Sequence, residues 1–122
     1  MFVHFSDPDE FGHSKGWMSE EYLRGAANSD RCLGTLLAAL DRSGLASRTL
    51  VIVTADHGGH SKVHSGSHLD VDREIPWIVR GPGIRPGSRV EHPIVTVDTA
   101  ATVLSALKLP LPPHMAGVPV SD

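Results

Sequence analysis

TLVIVTADHGG, residues 49–59, is the stretch of sequence that decides the fold. Its first six residues form a continuous apolar and β-branched run, which is typical of a central parallel strand covered on both faces. Asp56 and His57 follow that run after a single residue, Ala55. A charged group at the end of a buried strand needs a partner or a metal ion, and ligands of open α/β sheets bind at this edge. The stretch therefore predicts an α/β fold with a functional site after this strand.

Further strands and helices are expected on both sides of it. Residues 2–5 are interpreted as a buried strand and residues 75–79 as another, with turn chemistry at residues 6–9. Ser19, followed by two acidic residues, is a helix start, and Gly44 is the predicted stop. Asp98 is expected to cap a helix that runs to about Leu107. The apolar positions of the first helix recur at three- and four-residue steps: Tyr22, Leu23, Ala26, Leu33, Leu36, Leu37 and Leu40.

The bulk composition fits one globular domain. The chain has 122 residues, of which 40% are hydrophobic, and its net charge is −3. No cluster of Lys and Arg forms a patch for nucleic acid, and no apolar run reaches the roughly 20 residues that a membrane span needs. Cys32 is the single cysteine, which excludes an intrachain disulfide and favours a packed thiol in a helix. These features leave a small-molecule enzyme or a binding module.

A second motif, Asp9-x-x-Gly12-His13, adds metal-ligand chemistry. Mixed imidazole and carboxylate ligands suit zinc or a similar divalent ion, whereas carboxylates alone would favour magnesium or calcium. Two such ions about 4 Å apart can hold the attacking and leaving oxygens of an in-line displacement. The sequence therefore predicts a two-metal centre for hydrolysis at phosphorus. Its five predicted ligands are Asp9, His13, Asp56, His57 and His64.

These motifs resemble the C-terminal part of the alkaline phosphatase superfamily, close to its type I phosphodiesterase/nucleotide pyrophosphatase branch. The matching segments are residues 5–13, 54–59, 75–83 and 97–110, so the resemblance covers nearly the whole chain. It implies that residues 1–122 are the C-terminal part of a single alkaline phosphatase-like hydrolase domain. The implied fold is a three-layer α/β/α sandwich with a mainly parallel sheet.

The resemblance also divides the ligands between two divalent ions. Asp9, His13 and His64 would hold one ion, and Asp56 and His57 would hold the second; zinc is the first choice, with manganese and magnesium as alternatives. The family completes the second site with an N-terminal Asp and a Thr or Ser nucleophile, and neither can be placed in this sequence. We therefore assign no catalytic nucleophile and expect a longer hydrolase that extends upstream.

The third imidazole has alternatives within the same histidine-rich stretch. His57, His60, His64 and His68 are spaced as on one helical face, but the intervening Gly and Ser residues oppose a helix. Family spacing favours His64 as the ligand, with His68 as its substitute, and His60 as a supporting or solvent-facing group. His114 is a more distant candidate, since some relatives draw this ligand from nearer the C-terminus.

The expected function is metal-dependent hydrolysis of a small-molecule phosphate ester, with diesters or nucleotide pyrophosphates ahead of monoesters. A sulfatase of the same superfamily is the first alternative, although the Asp9-x-x-Gly12-His13 element and the lack of an upstream Cys or Ser sulfatase motif count against it. A noncatalytic metal-binding module that lacks the nucleophile is the second.

Overall fold

A computed structural model describes residues 1–64 and 69–120. Four helices and two strands make up the regular structure of these residues, with one short 3-10 turn between them. In chain order they are α1 (Asp7–Lys15), α2 (Glu20–Arg42), the 3-10 turn (Ala46–Arg48), β1 (Val51–Thr54), α3 (Asp70–Arg73), β2 (Trp77–Arg80) and α4 (Thr96–Ala106).

Helices α1 and α2 form a packed hairpin. Gly25 of α2 is buried, and the ring of Phe11 lies so close that a Cβ on Gly25 would be 2.7 Å from Phe11 Cδ2. The side chain of Asn28 donates to Asp7 Oδ2 at 2.8 Å, which ties the start of α1 to α2. The predicted start of α2 is confirmed, because Ser19 Oγ accepts the Tyr22 N–H at 3.2 Å.

Strands β1 and β2 pair antiparallel, with Val51 opposite Arg80 and Thr54 opposite Trp77. The prediction of a parallel strand covered on both faces is therefore wrong for this pair, and residues 51–53 are only half-buried. The physical reason lies in the connection: α3 has four residues and hydrogen bonds to the loop after β1, so it makes no crossover over the sheet. A two-stranded sheet is too small to display a three-layer sandwich.

Helix α4 holds the C-terminal segment through a buried carboxylate. Asp98, which is 6% exposed, accepts the N–H of Val95 at 2.9 Å and that of Val118 at 2.9 Å. Thr102 Oγ1 accepts the Val120 N–H at 2.9 Å on the next turn. The helix begins at Thr96, so Asp98 lies in its first turn and is not the N-cap that the sequence predicted.

The segment 2–5 contains no strand, contrary to the sequence prediction. Phe2 is 90% exposed, and a strand needs a neighbour to satisfy its backbone N–H and C=O groups. The turn predicted at residues 6–9 is also wrong, because α1 begins at Asp7. Pro8 lies in the first turn of this helix, where a proline is tolerated. The D-x-x-G-H motif thus lies on a helix.

Little apolar surface is buried within the part of the chain that the structure describes. Ala101 is the one buried hydrophobic residue there, while Leu23 is 48% and Ile78 60% exposed. Cys32 is also exposed, which corrects the expectation of a packed thiol. None of the helices in residues 1–64 and 69–120 is long and apolar enough to cross a membrane.

Candidate metal centre

Helix α1 places the first two predicted ligands on one face. Asp9 and His13 are four residues apart, which is the spacing of neighbours along a helix surface. Asp9 Oδ1 lies 3.5 Å from His13 Nε2, and both side chains are nearly half exposed. The helix, rather than the predicted turn, is what aligns these two groups.

The loop after β1 brings the second motif to the same place. His57 Nε2 lies 3.7 Å from Asp9 Oδ1 and 3.8 Å from Asp56 Oδ2. The Asp56 side chain is 87% exposed, whereas that of His57 is 25% exposed. Asp9 and His57 therefore join the two motifs, although 48 positions of sequence separate them.

Backbone carbonyl groups orient both imidazoles. His13 Nδ1 lies 3.0 Å from the carbonyl oxygen of Lys62, and His57 Nδ1 lies 2.7 Å from that of Gly58. A carbonyl oxygen only accepts, so each Nδ1 carries the proton and donates it. In the neutral form of such an imidazole Nε2 keeps its lone pair, and both Nε2 atoms face Asp9. This is the arrangement by which a second hydrogen bond prepares histidine as a metal ligand.

His64 completes a group of three imidazoles. Its ring stacks on that of His57, with centroids 3.7 Å apart, and meets the ring of His13 edge to face at 5.1 Å. The backbone turns back between His57 and His64, because His60 and Val63 exchange two backbone hydrogen bonds. His68, the substitute ligand, lies outside the described residues. His114 is exposed in the C-terminal segment.

Two groups beside the histidines were not predicted to support the site: the sequence predicted that Trp17 covers the core or a pocket wall, and it gave Asp72 no role. Trp17 lies against the histidines, with its ring centroid 4.9 Å from that of His13. The carboxylate of Asp72 accepts from His60 Nδ1 at 2.7 Å, and its side chain is 3% exposed. The only signal available was the proximity of Trp17 to the first motif and of Asp72 to the histidine-rich stretch.

The backbone of helix α3 forms hydrogen bonds with the loop that follows β1. The N–H of Gly58 donates to the carbonyl of Asp72 at 2.9 Å, and that of Gly59 donates to Val71 at 2.9 Å. A side chain at Gly58 would collide with the Val71 carbonyl oxygen. The glycine after the Asp56-His57 pair thus permits this close approach. Together with the bond between His60 and Asp72, these contacts fix the path of the loop that bears His57.

The donor set agrees in chemistry and spacing with a zinc-type site. Two ligand atoms that each lie about 2.1 Å from a tetrahedral ion are about 3.4 Å apart. The Asp9 oxygen lies 3.5 Å from the His13 nitrogen and 3.7 Å from the His57 nitrogen. In residues 1–64 and 69–120, however, no three His, Cys, Asp or Glu side chains form a finished metal-binding group. The pairs Asp9–His13 and Asp9–His57 therefore each have a separation that fits two ligands of one ion.

Two grooves of the described surface lie elsewhere. They run along β2 and the turns that follow it, and Trp77 and Ile84 line both of them. None of the five predicted ligands lines either groove. The imidazole group is an open surface feature at the junction of α1 and the loop after β1.

Comparison with known proteins agrees with this combination of motifs. The family described as type I phosphodiesterase / nucleotide pyrophosphatase matches residues 1–102. This chain belongs to that family and, with it, to the alkaline phosphatase superfamily of hydrolases.

Several curated relatives are sulfatases. Arylsulfatase K of Bos taurus is 32% identical over 100 residues, which cover 79% of this chain and 18% of that protein. Arylsulfatase K of Homo sapiens is 31% identical over 100 residues, or 79% of this chain and 19% of that protein. Steryl-sulfatase of Rattus norvegicus is 34% identical over 128 residues, or 88% of this chain and 22% of that protein. The chain spans about a fifth of the length of these relatives.

Proposed function

We propose that this chain supplies metal ligands to a longer hydrolase that cleaves phosphate esters, with diesters or nucleotide pyrophosphates as the preferred class. One observation carries the proposal: Asp9 Oδ1 lies within 3.7 Å of the Nε2 atoms of both His13 and His57. Membership of the type I phosphodiesterase family supports phosphorus as the reacting centre.

The proposed ligands are Asp9, His13 and His64 for one divalent ion and Asp56 and His57 for the other. Zinc is the preferred ion, since imidazole and carboxylate together suit it. When bound, such a pair of ions supplies Lewis acidity at the ester oxygens. The residues of this chain hold and orient the metal ligands. The carbonyl groups of Lys62 and Gly58 bond to Nδ1 of His13 and of His57, respectively, and so keep each imidazole in one tautomer. That preorganisation lowers the cost of assembling the site.

Sulfate ester hydrolysis is the second candidate. It is favoured by the identity of 31% to 34% to arylsulfatase K and steryl-sulfatase. Sulfate and phosphate esters share a tetrahedral centre with charged oxygens, so the ligand set alone does not decide between them. The substrate class then depends on groups outside the ligand set.

A direct test compares esters on the longer protein that contains this chain. Purified enzyme with added zinc is assayed with p-nitrophenyl phosphate, bis-p-nitrophenyl phosphate and p-nitrophenyl sulfate. We expect the diester to be cleaved fastest and His57→Ala to lower its kcat/KM by at least about 100-fold, as loss of a metal ligand implies. His4→Ala, at an exposed position outside the site, is the matched control.

The assay separates the candidates. Preferential cleavage of the sulfate would replace the first candidate by the second. Zinc binding without turnover of any ester would favour a noncatalytic metal-binding module. Absence of both zinc binding and turnover would reject the proposal entirely.

The three-layer α/β/α sandwich is part of the same proposal. Exposed apolar side chains on both the helices and the sheet support it, including Leu23, Ile78 and Val103, which are 41% to 60% exposed. Additional layers of the longer protein would cover these surfaces. Amide hydrogen exchange at residues 51–54 and 77–80 tests this: we expect much slower exchange in the longer protein than in the 122-residue chain.

A further inference from the structure

Trp17 occupies space that two motif glycines leave open. A Cβ on Gly12 would lie 2.7 Å from Trp17 Cε2, and a Cβ on Gly59 would collide with the same part of the indole. Gly12 belongs to the Asp9-to-His13 motif and Gly59 to the motif after β1. One indole therefore contacts both ligand-bearing segments at positions where each lacks a side chain.

Hydrogen bonds join the same two segments around the indole. The backbone N–H of Trp17 donates to the Ser61 carbonyl at 2.7 Å. His13 Nδ1 donates to the Lys62 carbonyl at 3.0 Å, and Lys62 Nζ donates to the Ser14 carbonyl at 2.8 Å. Hydrogen bonds thus connect the end of α1 to residues 61 and 62, next to the contact between Trp17 and Gly59.

The indole also contacts the imidazoles themselves. Its centroid lies 4.9 Å from that of His13 in an edge-to-face arrangement, 6.2 Å from His64 and 6.4 Å from His57. Such separations fall in the range of favourable aromatic pairs. Trp17 is the one aromatic residue among those described whose ring is paired with all three rings.

We propose that Trp17 is a positioning residue that sets the separation between the Asp9-His13 pair and the His57-His64 pair. The proposal rests on the metal-binding role given to those residues under the proposed function. A smaller side chain at position 17 would let the two segments approach each other or rotate. The Nε2 atoms of His13 and His57 would then no longer both lie close to Asp9 Oδ1. Phenylalanine would preserve part of the aromatic contact.

Zinc affinity, measured by competition with a chromophoric chelator in the longer protein, tests this role without reference to turnover. We expect Trp17→Leu to weaken zinc binding about 10- to 100-fold, which is the usual effect of losing a group that orients metal ligands. Trp17→Phe should recover most of that loss. Trp77→Leu is the matched control, because Trp77 lies on β2 and bonds to Thr99 on α4.

A double-mutant comparison isolates the contact between Trp17 and Gly59. Gly59→Ala places a methyl group against the indole, so we expect it to weaken zinc binding about 10-fold or more in the parent protein. In the Trp17→Leu background the same substitution should change the affinity by no more than about 2-fold, because the space is then free. Gly34→Ala controls for a glycine with open surroundings, since nothing lies within 4 Å of its Cβ position.

The outcomes distinguish the two proposals. No zinc binding by the parent protein would reject the proposed function, and the positioning role would fall with it. Tight zinc binding by the parent and equally tight binding by Trp17→Leu would reject the positioning role alone. Equal damage from Gly59→Ala in both backgrounds would reject it as well. Trp17→Leu is uninformative if it loses its helical circular dichroism, and Gly59→Ala then decides. A zinc affinity of Gly59→Ala equal to that of the parent overturns the proposal. A loss of zinc affinity of about 10-fold in Gly59→Ala that is recovered in the double variant Trp17→Phe/Gly59→Ala supports it.

Discussion

His57 and His64 lie with their imidazole planes 10° from parallel and their ring centroids 3.7 Å apart. The chain reaches this arrangement by turning back between them, where His60 and Val63 exchange backbone hydrogen bonds of 2.9 Å. Two residues that are seven positions apart thereby present stacked rings next to His13 on α1. The turn, rather than a helical repeat, groups the imidazoles.

Replacement of His64 by alanine is expected to lower zinc affinity at least about 10-fold, because it removes one proposed ligand and the ring stacked on His57. Bound metal per protein chain, measured after dialysis, checks the loss. His68→Ala is measured in parallel, since His68 is the alternative ligand. Full metal content in His64→Ala together with reduced content in His68→Ala would transfer the ligand role to His68.

The hydrogen bond between His60 and Asp72 is expected to stabilise the loop that bears His57. His60→Ala removes a partner from a carboxylate whose side chain is 3% exposed, so we expect the free energy of unfolding to fall by about 1–3 kcal/mol. Urea unfolding measures the change. The control is Arg73→Ala, which breaks an exposed ion pair with Asp70 and should cost less than about 1 kcal/mol. Equal effects of both substitutions would contradict the prediction.

Two glycines of α2 are expected to respond in opposite directions to alanine. Gly25→Ala would place Cβ 2.7 Å from the Phe11 ring and 3.3 Å from the Asp7 carbonyl oxygen, so overpacking should destabilise the protein by about 1–3 kcal/mol. Gly34→Ala meets open space and should stabilise the helix by about 0.5–1 kcal/mol. Thermal unfolding of both variants provides the comparison. A stabilised Gly25→Ala variant would show that α1 and α2 do not pack as described.

Asp98 gives stability a defined dependence on pH. The amide groups of Val95 and Val118 donate to its carboxylate and hold its pKa below the ordinary value; burial opposes them, and His92 adds a smaller lowering effect. A lowered folded-state pKa contributes stability above the unfolded value, about 3.9 for aspartate, and that contribution is lost as pH falls through the folded value.

Asp98→Asn is therefore expected to be less stable than the parent protein at pH 7, and the difference should shrink steadily below about pH 4. Urea unfolding at several pH values between 3 and 7 checks the trend, with Asp30→Asn on the exposed side of α2 as the control. A difference that stays constant over this range would show that the Asp98 charge is not what holds Val118.

Local sequence signals located most elements and both motifs. Ser19 and its following acidic residues marked the start of α2, and the β-branched run at residues 51–54 marked β1. These features depend on a few neighbouring residues, so they are readable without the fold. Family membership was likewise readable from the motifs at residues 9–13 and 54–59, and the family match over residues 1–102 confirms it.

The sequence by itself determined that imidazoles and carboxylates are available, and in which order. Only the tertiary structure decided that Asp9 and His57 lie 3.7 Å apart, that β1 and β2 pair antiparallel, and that Trp17 fills the space beside two motif glycines. Apart from the contact of Trp17 with Gly12, those relationships depend on contacts between residues more than 20 positions apart. Such contacts are set by packing and backbone hydrogen bonding, and no local pattern of residue types specifies them.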